Sequence, residues 1–588
     1  MIIIFLLKQR VVFITFSLTT LTGVKMETFK ITKNNELNKW EDISSYFNEL
    51  LESEINNSSD AKQYIKNLGI LSAFVHEKMA WAYINMTCHT DNKEHVKLYQ
   101  FFNSEIYPKF EEALFEVEKK LYNSNSFKEL ESDYNQYKLL IQTDIELYRE
   151  NNLALTAEEG VISTQYDQIS GGIMVEYNGE EYTLRQLGKL METDIREERE
   201  NIWKAMMSKK MEYKNDLISV FDRLFSLRSV IAKNTDFENY RDYMFKNKQR
   251  FDYTPEDCFE FHKSVEKEVV PIVKKIQLNH KKRLGVDSYR PWDLPGLIKG
   301  EKALTPFKTG QELLDKTIQV YEKIRPPLAK NLEQMKNNSM FDLDSRKGKA
   351  PGGYNYPLLL TDMPFIFMNS VGSQGDVTTL MHEGGHAMHS FQTKGLEIME
   401  YKNTPSESAE LASMSMELIS MDYWGIFYEN EQDLKRAKRE QLERTINIFP
   451  WVMIVDAFQH WMYENPEHTF NERQAKYVEL VQRFETGVID YSGYEQYREL
   501  GWIYQLHITT VPFYYIEYAI AQLGALQIWR NYKINPDKAI DDYLHALSLG
   551  SSKSLPEVYK AANIEFNFSR NMIKDLMKFV DGQLEELL

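Results

Sequence analysis

From about Trp40 to Asn151, apolar residues recur among charged ones at spacings of three and four, the pattern of helices that each bury one face. Pro108 is the lone proline of that stretch and glycine is almost absent. The texture changes at Ile162–Tyr182, where Gly171, Gly172 and Gly179 separate short β-branched runs and predict a small hairpin instead of more helix. Helical patterning resumes at Leu184 and continues to about Leu284. The stretch Arg290–Gly300, bearing proline and glycine, punctuates the chain; a helix is predicted over Gly310–Met335 and a loop over Asn337–Asn355. Tyr356–Asn369 holds two short apolar runs divided by Thr361–Pro364, which predicts two strands of one small sheet. Beyond Asp376 the pattern is helical nearly to the end, and no repeat of fixed period occurs. The expected fold is mainly α, with one small mixed sheet beside the middle of the chain.

Composition narrows the function classes. At 588 residues the chain is too long for one small core, and roughly 100–200 residues per domain gives two to four domains or lobes. Hydrophobic residues at 43% and charged ones at 27% exclude disorder as the main state. A net charge of −17 repels phosphate backbones, so no nucleic-acid partner is expected. Cys88 and Cys258 stand alone, which excludes a disulfide framework or a Cys-rich metal site and fits a reducing compartment.

Residues 1–25 are strongly apolar but are split by Lys8, Gln9 and Arg10. The longer run, Val11–Val24, is shorter than the ~20 residues of a membrane-spanning helix, and Thr-Leu-Thr-Gly-Val-Lys is a poor cleavage site. The reading is an upstream extension, with the working protein opening near Met26 and residing in the cytoplasm. The alternative is a signal-like segment and a secreted or periplasmic protein. Every later apolar run is broken by charges, so no stable membrane association is expected.

The candidate chemistry lies in residues 376–392, DVTTLMHEGGHAMHSFQ. Asp376 is the expected N-cap of a helix. On it His382 and His386 stand four residues apart, about 40° around the axis and one turn along it, so both imidazoles can meet one metal ion. Glu383, beside the first of them, is placed to act as general base on a metal-activated water. With 12 histidines in the chain, a chance HExxH has an expectation of roughly one in fifty. Gly384 and Gly385 each cost about 1 kcal/mol relative to Ala in mid-helix and are explained by another backbone passing close, such as a substrate-binding edge strand. Two histidines do not hold catalytic zinc alone. The third-histidine pattern HExxHxxGxxH fails, since His389 stands at the glycine and Gln392 at the last position. The search therefore moves to a carboxylate on the next helix, which Thr404-Pro405-Ser406-Glu407 opens as a capping box. Glu410 and Glu417 share one face of that helix amid Ala, Leu and Met. Glu410 is the expected third ligand and Glu417 the acceptor that orients a histidine. Glu407 competes, but capping already explains it.

HEGGHAMH followed by Glu410, Ser413 and Glu417 in the spacing E-x-x-S-x-x-x-E resembles peptidase family M3, the zinc metallopeptidases related to thimet oligopeptidase and oligoendopeptidase F. The family pattern is His-Glu-Phe/Tyr-Gly-His, then a Glu with Ser three and Glu seven residues later; here Gly384 replaces the aromatic. The resemblance extends over most of residues 190–588, with Arg290–Leu294 (RPWDL) and Tyr356–Asn369 where the family has comparable segments.

It implies two mostly helical lobes around a deep channel, one Zn²⁺ per chain on its floor, and a small sheet beside the HExxH helix. It divides the chain into residues 26–190, an N-terminal helical region, and 191–588, a catalytic domain. It implies that His507, Tyr515 and Tyr518 in HITTVPFYYIEY bind substrate and stabilise the oxyanion, with Tyr514 an alternative in register. Tyr354, after Gly352 and Gly353, is a candidate substrate contact, a plain turn being the competing reading. The implied function is zinc-dependent hydrolysis of internal bonds in short peptides. An end-trimming carboxypeptidase or dipeptidyl carboxypeptidase, and a non-catalytic helical peptide-binding protein, are the alternatives.

Overall fold

The structure is a computed structural model and describes residues 26–587; the sequence reading of residues 1–25 lies outside them. It is mostly helical with two small sheets. In chain order the elements that position the site are α1 (Ser58–Cys88), α2 (Glu150–Gly171), the hairpin β1 (Met174–Tyr177) and β2 (Glu180–Thr183), α3 (Pro255–Glu268), α4 (Gly310–Ile324) and α5 (Pro326–Asn337). There follow β3 (Phe341–Asp344), β4 (Tyr354–Leu358), β5 (Met363–Ser370), α6 (Gln374–Gln392), α7 (Ser406–Ser420), α8 (Glu431–Glu464) and α9 (Tyr515–Ile534).

Several boundaries differ from the sequence reading, each for a local reason. Helix α2 runs on through Ile162 to Gly171, so the predicted hairpin shrinks to residues 174–183, where Asn178 and Gly179 take positive φ in the turn. The single helix predicted over Gly310–Met335 breaks at Arg325, because Pro326 cannot donate to the preceding turn and starts α5 instead. The predicted loop 337–355 contains β3, which pairs parallel to β5. The predicted two strands form as β4 and β5, antiparallel with Tyr354 opposite Phe367 and Leu358 opposite Met363, joined through Asp362 at φ 51°. The order β3-β5-β4 makes β5 central, and Met363–Met368 are accordingly buried throughout.

The N-terminal helices have their own core, with Leu50, Leu68, Phe110, Val117 and Leu121 at its centre. Several contacts pin it to the rest. Ala80, Ile84 and Cys88 of α1 pack on Leu358, Phe365 and Phe367 of the sheet. Glu77 accepts from the backbone N–H groups of Leu360 and Thr361 at 2.7 and 2.9 Å, capping the β4–β5 turn. The Tyr401 hydroxyl donates to the Asp133 carbonyl at 2.8 Å and accepts from the Tyr137 N–H at 3.1 Å.

Helix α6 begins one turn earlier than expected. Ser373 is its N-cap, and Asp376 is the reciprocal third residue of the capping box, returning its carboxylate to the Ser373 N–H at 2.8 Å. Another backbone does pass close to the paired glycines, as expected, but it is a helix and not an edge strand. A Cβ at Gly385 would lie 2.6 Å from the Ala412 carbonyl oxygen and 2.6 Å from Ser413 Cα, so α6 and α7 touch backbone to backbone there. At Gly384 the space is filled by the hydroxyl of Tyr321 from α4, which donates to the Met381 carbonyl at 3.0 Å. That ring supplies aromatic packing where the family pattern carries it on the helix itself.

Gly385→Ala is therefore expected to destabilise the protein by about 1–3 kcal/mol, the usual cost of overpacking a closed contact. A thermal melt checks this: the melting temperature should drop, whereas a melt identical to wild type would contradict the backbone contact.

Candidate active site

Because α6 and α7 approach this closely, side chains one turn apart on each meet across the seam. The rings of His382 and His386 stand edge to face with centroids 4.8 Å apart. Oε2 of Glu410 lies 3.3 Å from Nε2 of His382 and 3.8 Å from Nε2 of His386. One donor atom from each residue falls within 4.8 Å of the other two, close enough to share one ion. Glu417 Oε1 lies 2.7 Å from His382 Nδ1. With Nδ1 donating to that carboxylate, Nε2 is the nitrogen turned to Glu410, and its proton is the one a metal ion would displace. Gln441 of α8 holds the other oxygen of Glu417 at 2.7 Å and accepts from Thr378 of α6 at 3.0 Å. Ser413 donates to Glu410 Oε2 at 3.0 Å.

The electrostatics fit a divalent cation. Burial opposes charge on His382, yet the Glu417 hydrogen bond and the negative charges of Glu410, Glu417 and Glu383 raise it to about 10. Burial pushes His386 well below its ordinary value, helped by the neighbouring His382 charge. Glu410 is raised by burial. Buried carboxylates around two imidazoles call for positive charge, and His₂Glu with neutral Nε2 donors is a zinc-binding set. Glu383 is 6% exposed and is raised to about 7 by burial, against the opposing charge of His382. A carboxyl titrating there is suited to take and return protons near neutral pH. Its carbonyl accepts from Asn355 of β4 at 3.2 Å, which ties the sheet to this turn of α6. His389 is buried and pushed down to about 4 by desolvation.

The other candidates divide. His507, Tyr514, Tyr515 and Tyr518 cluster, with the His507 ring 5.8, 4.5 and 6.0 Å from the three tyrosine rings in that order. Burial and the Glu410 charge both raise Tyr514, to about 12, and raise Tyr518 further, so both rings lie within the field of that carboxylate. Tyr515 is turned toward Trp451. Burial and the Lys248 charge push His507 down to about 4, so it is neutral. Gln505 Nε2 donates to its Nδ1 at 2.9 Å, which places the remaining proton on Nε2. Tyr354 is not brought to the histidines: its hydroxyl pairs with Thr87 at 2.6 Å and its ring stacks on Phe367. Glu407 does not cap α7; it accepts from the Tyr253 hydroxyl at 2.6 Å, and Pro405 at the N-cap offers no side-chain bond.

Sequence reasoning missed the supports. Gln441 and Tyr321 belong to segments remote in sequence from what they support, and Gln505, two residues before His507, carries no motif. Arg250 donates to the Phe513 carbonyl and, at 2.8 Å, to Glu517, bracing the turn where Phe513 takes φ 62°.

A Peptidase family M3 profile matches residues 189–578, and a Peptidase M3 N-terminal domain profile matches residues 34–148. The chain belongs to peptidase family M3 and is a metallopeptidase of mostly helical fold. It is 23% identical over 506 residues to oligopeptidase PepF of Bacillus subtilis (strain 168), covering 84% of this chain and 69% of that one. It is 25% identical to the oligoendopeptidase F homolog of Borreliella burgdorferi, spanning 56% of this chain and about half, 53%, of the relative. Among solved structures, PZ peptidase A with inhibitor 2 superposes with a TM-score of 0.86 at 26% identity, covering 95% of this chain and 98% of that one. An oligoendopeptidase F from Bacillus anthracis str. Ames gives 0.83 at 26% identity, covering 95% and 99%.

Removing the hydrogen bond behind a metal-ligating imidazole typically weakens metal affinity 10–100-fold. Glu417→Ala is expected to do so here, read by competition with a chromogenic zinc chelator; affinity equal to wild type would show that Glu417 does not orient His382.

Proposed function

We propose that this chain hydrolyses internal peptide bonds of short peptides, using one Zn²⁺ held by His382, His386 and Glu410. The observation that carries the reading is the convergence of the Nε2 atoms of both histidines on Glu410 Oε2, with Glu383 buried beside them. Zinc, when bound, supplies Lewis-acid activation of a water and of the scissile carbonyl.

The protein groups do the rest. Glu383 takes a proton from the attacking water as the C–O bond forms, and returns it to the amide nitrogen as the C–N bond breaks. Tyr518 remains a protonated donor because burial and the Glu410 charge raise it far above neutrality. It and the Nε2–H of neutral His507 donate to the carbonyl oxygen as its charge develops. Tyr514 is favoured over Tyr515 as the third member of this group, since Tyr514 is the one under the Glu410 field.

The cytoplasm is the proposed location, supported by two free, buried cysteines. Among the described residues no helix is long and apolar enough to cross a membrane. Residues 26–190 and 191–588 are proposed as the N-terminal and catalytic units.

Glu383→Gln keeps the ligands and removes the base. Internally quenched short peptides should show a loss of about 10²–10⁴-fold in kcat with zinc content unchanged, the range typical of a general base. A chelator should abolish wild-type cleavage. Full activity in Glu383→Gln, or cleavage confined to terminal residues, would overturn the corresponding part of the proposal.

A further inference from the structure

A second cluster of metal-binding side chains lies away from the His382 site, between α3 and α8. Cys258 and His262 are four residues apart on α3; Asp456 and His460 are four apart on α8. That spacing stacks each pair on one helical face, so the two helices present two donors each. Cys258 Sγ, a carboxylate oxygen of Asp456 and a ring nitrogen of His460 all lie within 4.8 Å of one another. His262 Nε2 is 2.8 Å from Asp456 Oδ2, and His460 Nε2 is 3.3 Å from the same oxygen. The four residues are 0–2% exposed.

The hydrogen bonding inside this cluster is incomplete. Neither nitrogen of His460 has a hydrogen-bond partner, its approach to Asp456 being misdirected, and Oδ1 of Asp456 has none. Each buried polar atom left in that state opposes folding. The apolar wall offers no substitute: the rings of Phe245, Phe259 and Phe513 lie 5.7, 4.8 and 5.5 Å from that of His460. One cation would take a nitrogen of His460 and a carboxylate oxygen of Asp456 as ligands at once. Burial pushes the Cys258 thiol well up, so the thiolate forms only if a positive charge comes with it.

We propose that Cys258, His262, Asp456 and His460 form a second, structural metal site that takes a zinc-class divalent cation. One thiolate, one imidazole and one carboxylate converge as they stand, and His262, already 2.8 Å from Asp456, would complete a tetrahedral set of four donors when its ring moves in. Donors about 3.3–3.8 Å apart suit bonds of zinc length, so binding would open the 2.8 Å pair by about half an ångström and draw His262 toward Cys258 and His460. The cation is acquired during folding, because the finished site is sealed. Its place gives it a consequence for the cleft. Gln459, next to His460, donates to the His507 carbonyl at 2.8 Å and accepts from the Phe513 N–H at 3.2 Å. The ion would thus anchor α8 beneath the segment that carries His507 and Tyr518. The chain would hold two metals, one more than its sequence implies, and this site stands whether or not the first one hydrolyses peptides.

The test is spectroscopic and uses the full chain, folded in the presence of Co²⁺ alone. The His382 site contains no sulfur, so a thiolate-to-cobalt charge-transfer band in the near ultraviolet reports only on Cys258. The expected result is that band, with about two metals per chain in wild type by mass spectrometry and one in His386→Ala. Cys258→Ser should abolish the band and leave one metal in the His382 site. Wild type with one metal and no thiolate band would overturn the proposal and leave Asp456 as an acceptor shared by histidines. Since the band is read on wild type, a misfolded variant does not decide the outcome.

Discussion

The closest constraint in this fold is the contact between two helix backbones. A metal ligand set drawn from two helices needs donor atoms within a few ångströms, while helix axes ordinarily stand 8–10 Å apart. Gly385 removes the Cβ that would strike the Ala412 carbonyl, and α7 settles against α6 at that point. Everything chemical follows from it: Glu410 comes to 3.3 Å from His382, and Glu417, two turns along the same face, reaches the opposite nitrogen of the same ring at 2.7 Å. Glycine in mid-helix costs about 1 kcal/mol against alanine, and the seam recovers that by burying both helix faces.

The surrounding structure serves to hold that seam. Tyr321 fills the groove left by Gly384, the sheet reaches α6 through Asn355, and Gln441 fixes Glu417 from α8. The N-terminal helices are tied to the sheet through Glu77 and to the stretch before α7 through Tyr401. A cavity of about 300 Å³ opens at this junction, lined by Asp144, Lys248, Glu400 and Glu407 among others. The polar network of Arg250, Glu517 and Lys248 braces the His507–Tyr518 segment from below. Helix α8 reaches both side-chain clusters, through Gln441 at one end and Asp456 and His460 at the other.

The helical texture, the strands β4 and β5 and the HExxH helix were legible from the sequence because each rests on local spacing. So was the pairing of His382, His386, Glu410 and Glu417 as residues of common faces, since i, i+4 and i, i+7 positions are fixed by helix geometry alone. What was not legible depends on long-range packing. The reason for the paired glycines was assigned to a strand, but the neighbour is a helix 27 residues later, between Gly385 and Ala412. Glu407 was read as a cap from its position, yet Tyr253, far upstream, claims it. The choice between Tyr514 and Tyr515 turns on Phe513, whose left-handed backbone rotates the following residues and leaves no trace in residue spacing. Cys258 looked unremarkable as a lone cysteine, because its companions on α8 lie some 200 residues away in sequence.

The central claim, that the α6–α7 seam creates a zinc site of two histidines and Glu410, is most directly tested by crystallography of the wild-type protein with anomalous data collected on either side of the zinc edge. The account predicts an anomalous peak at about 2.0–2.2 Å from Nε2 of His382, Nε2 of His386 and a carboxylate oxygen of Glu410. No zinc peak at that point, or a peak there that excludes Glu410 from its ligands, would contradict it.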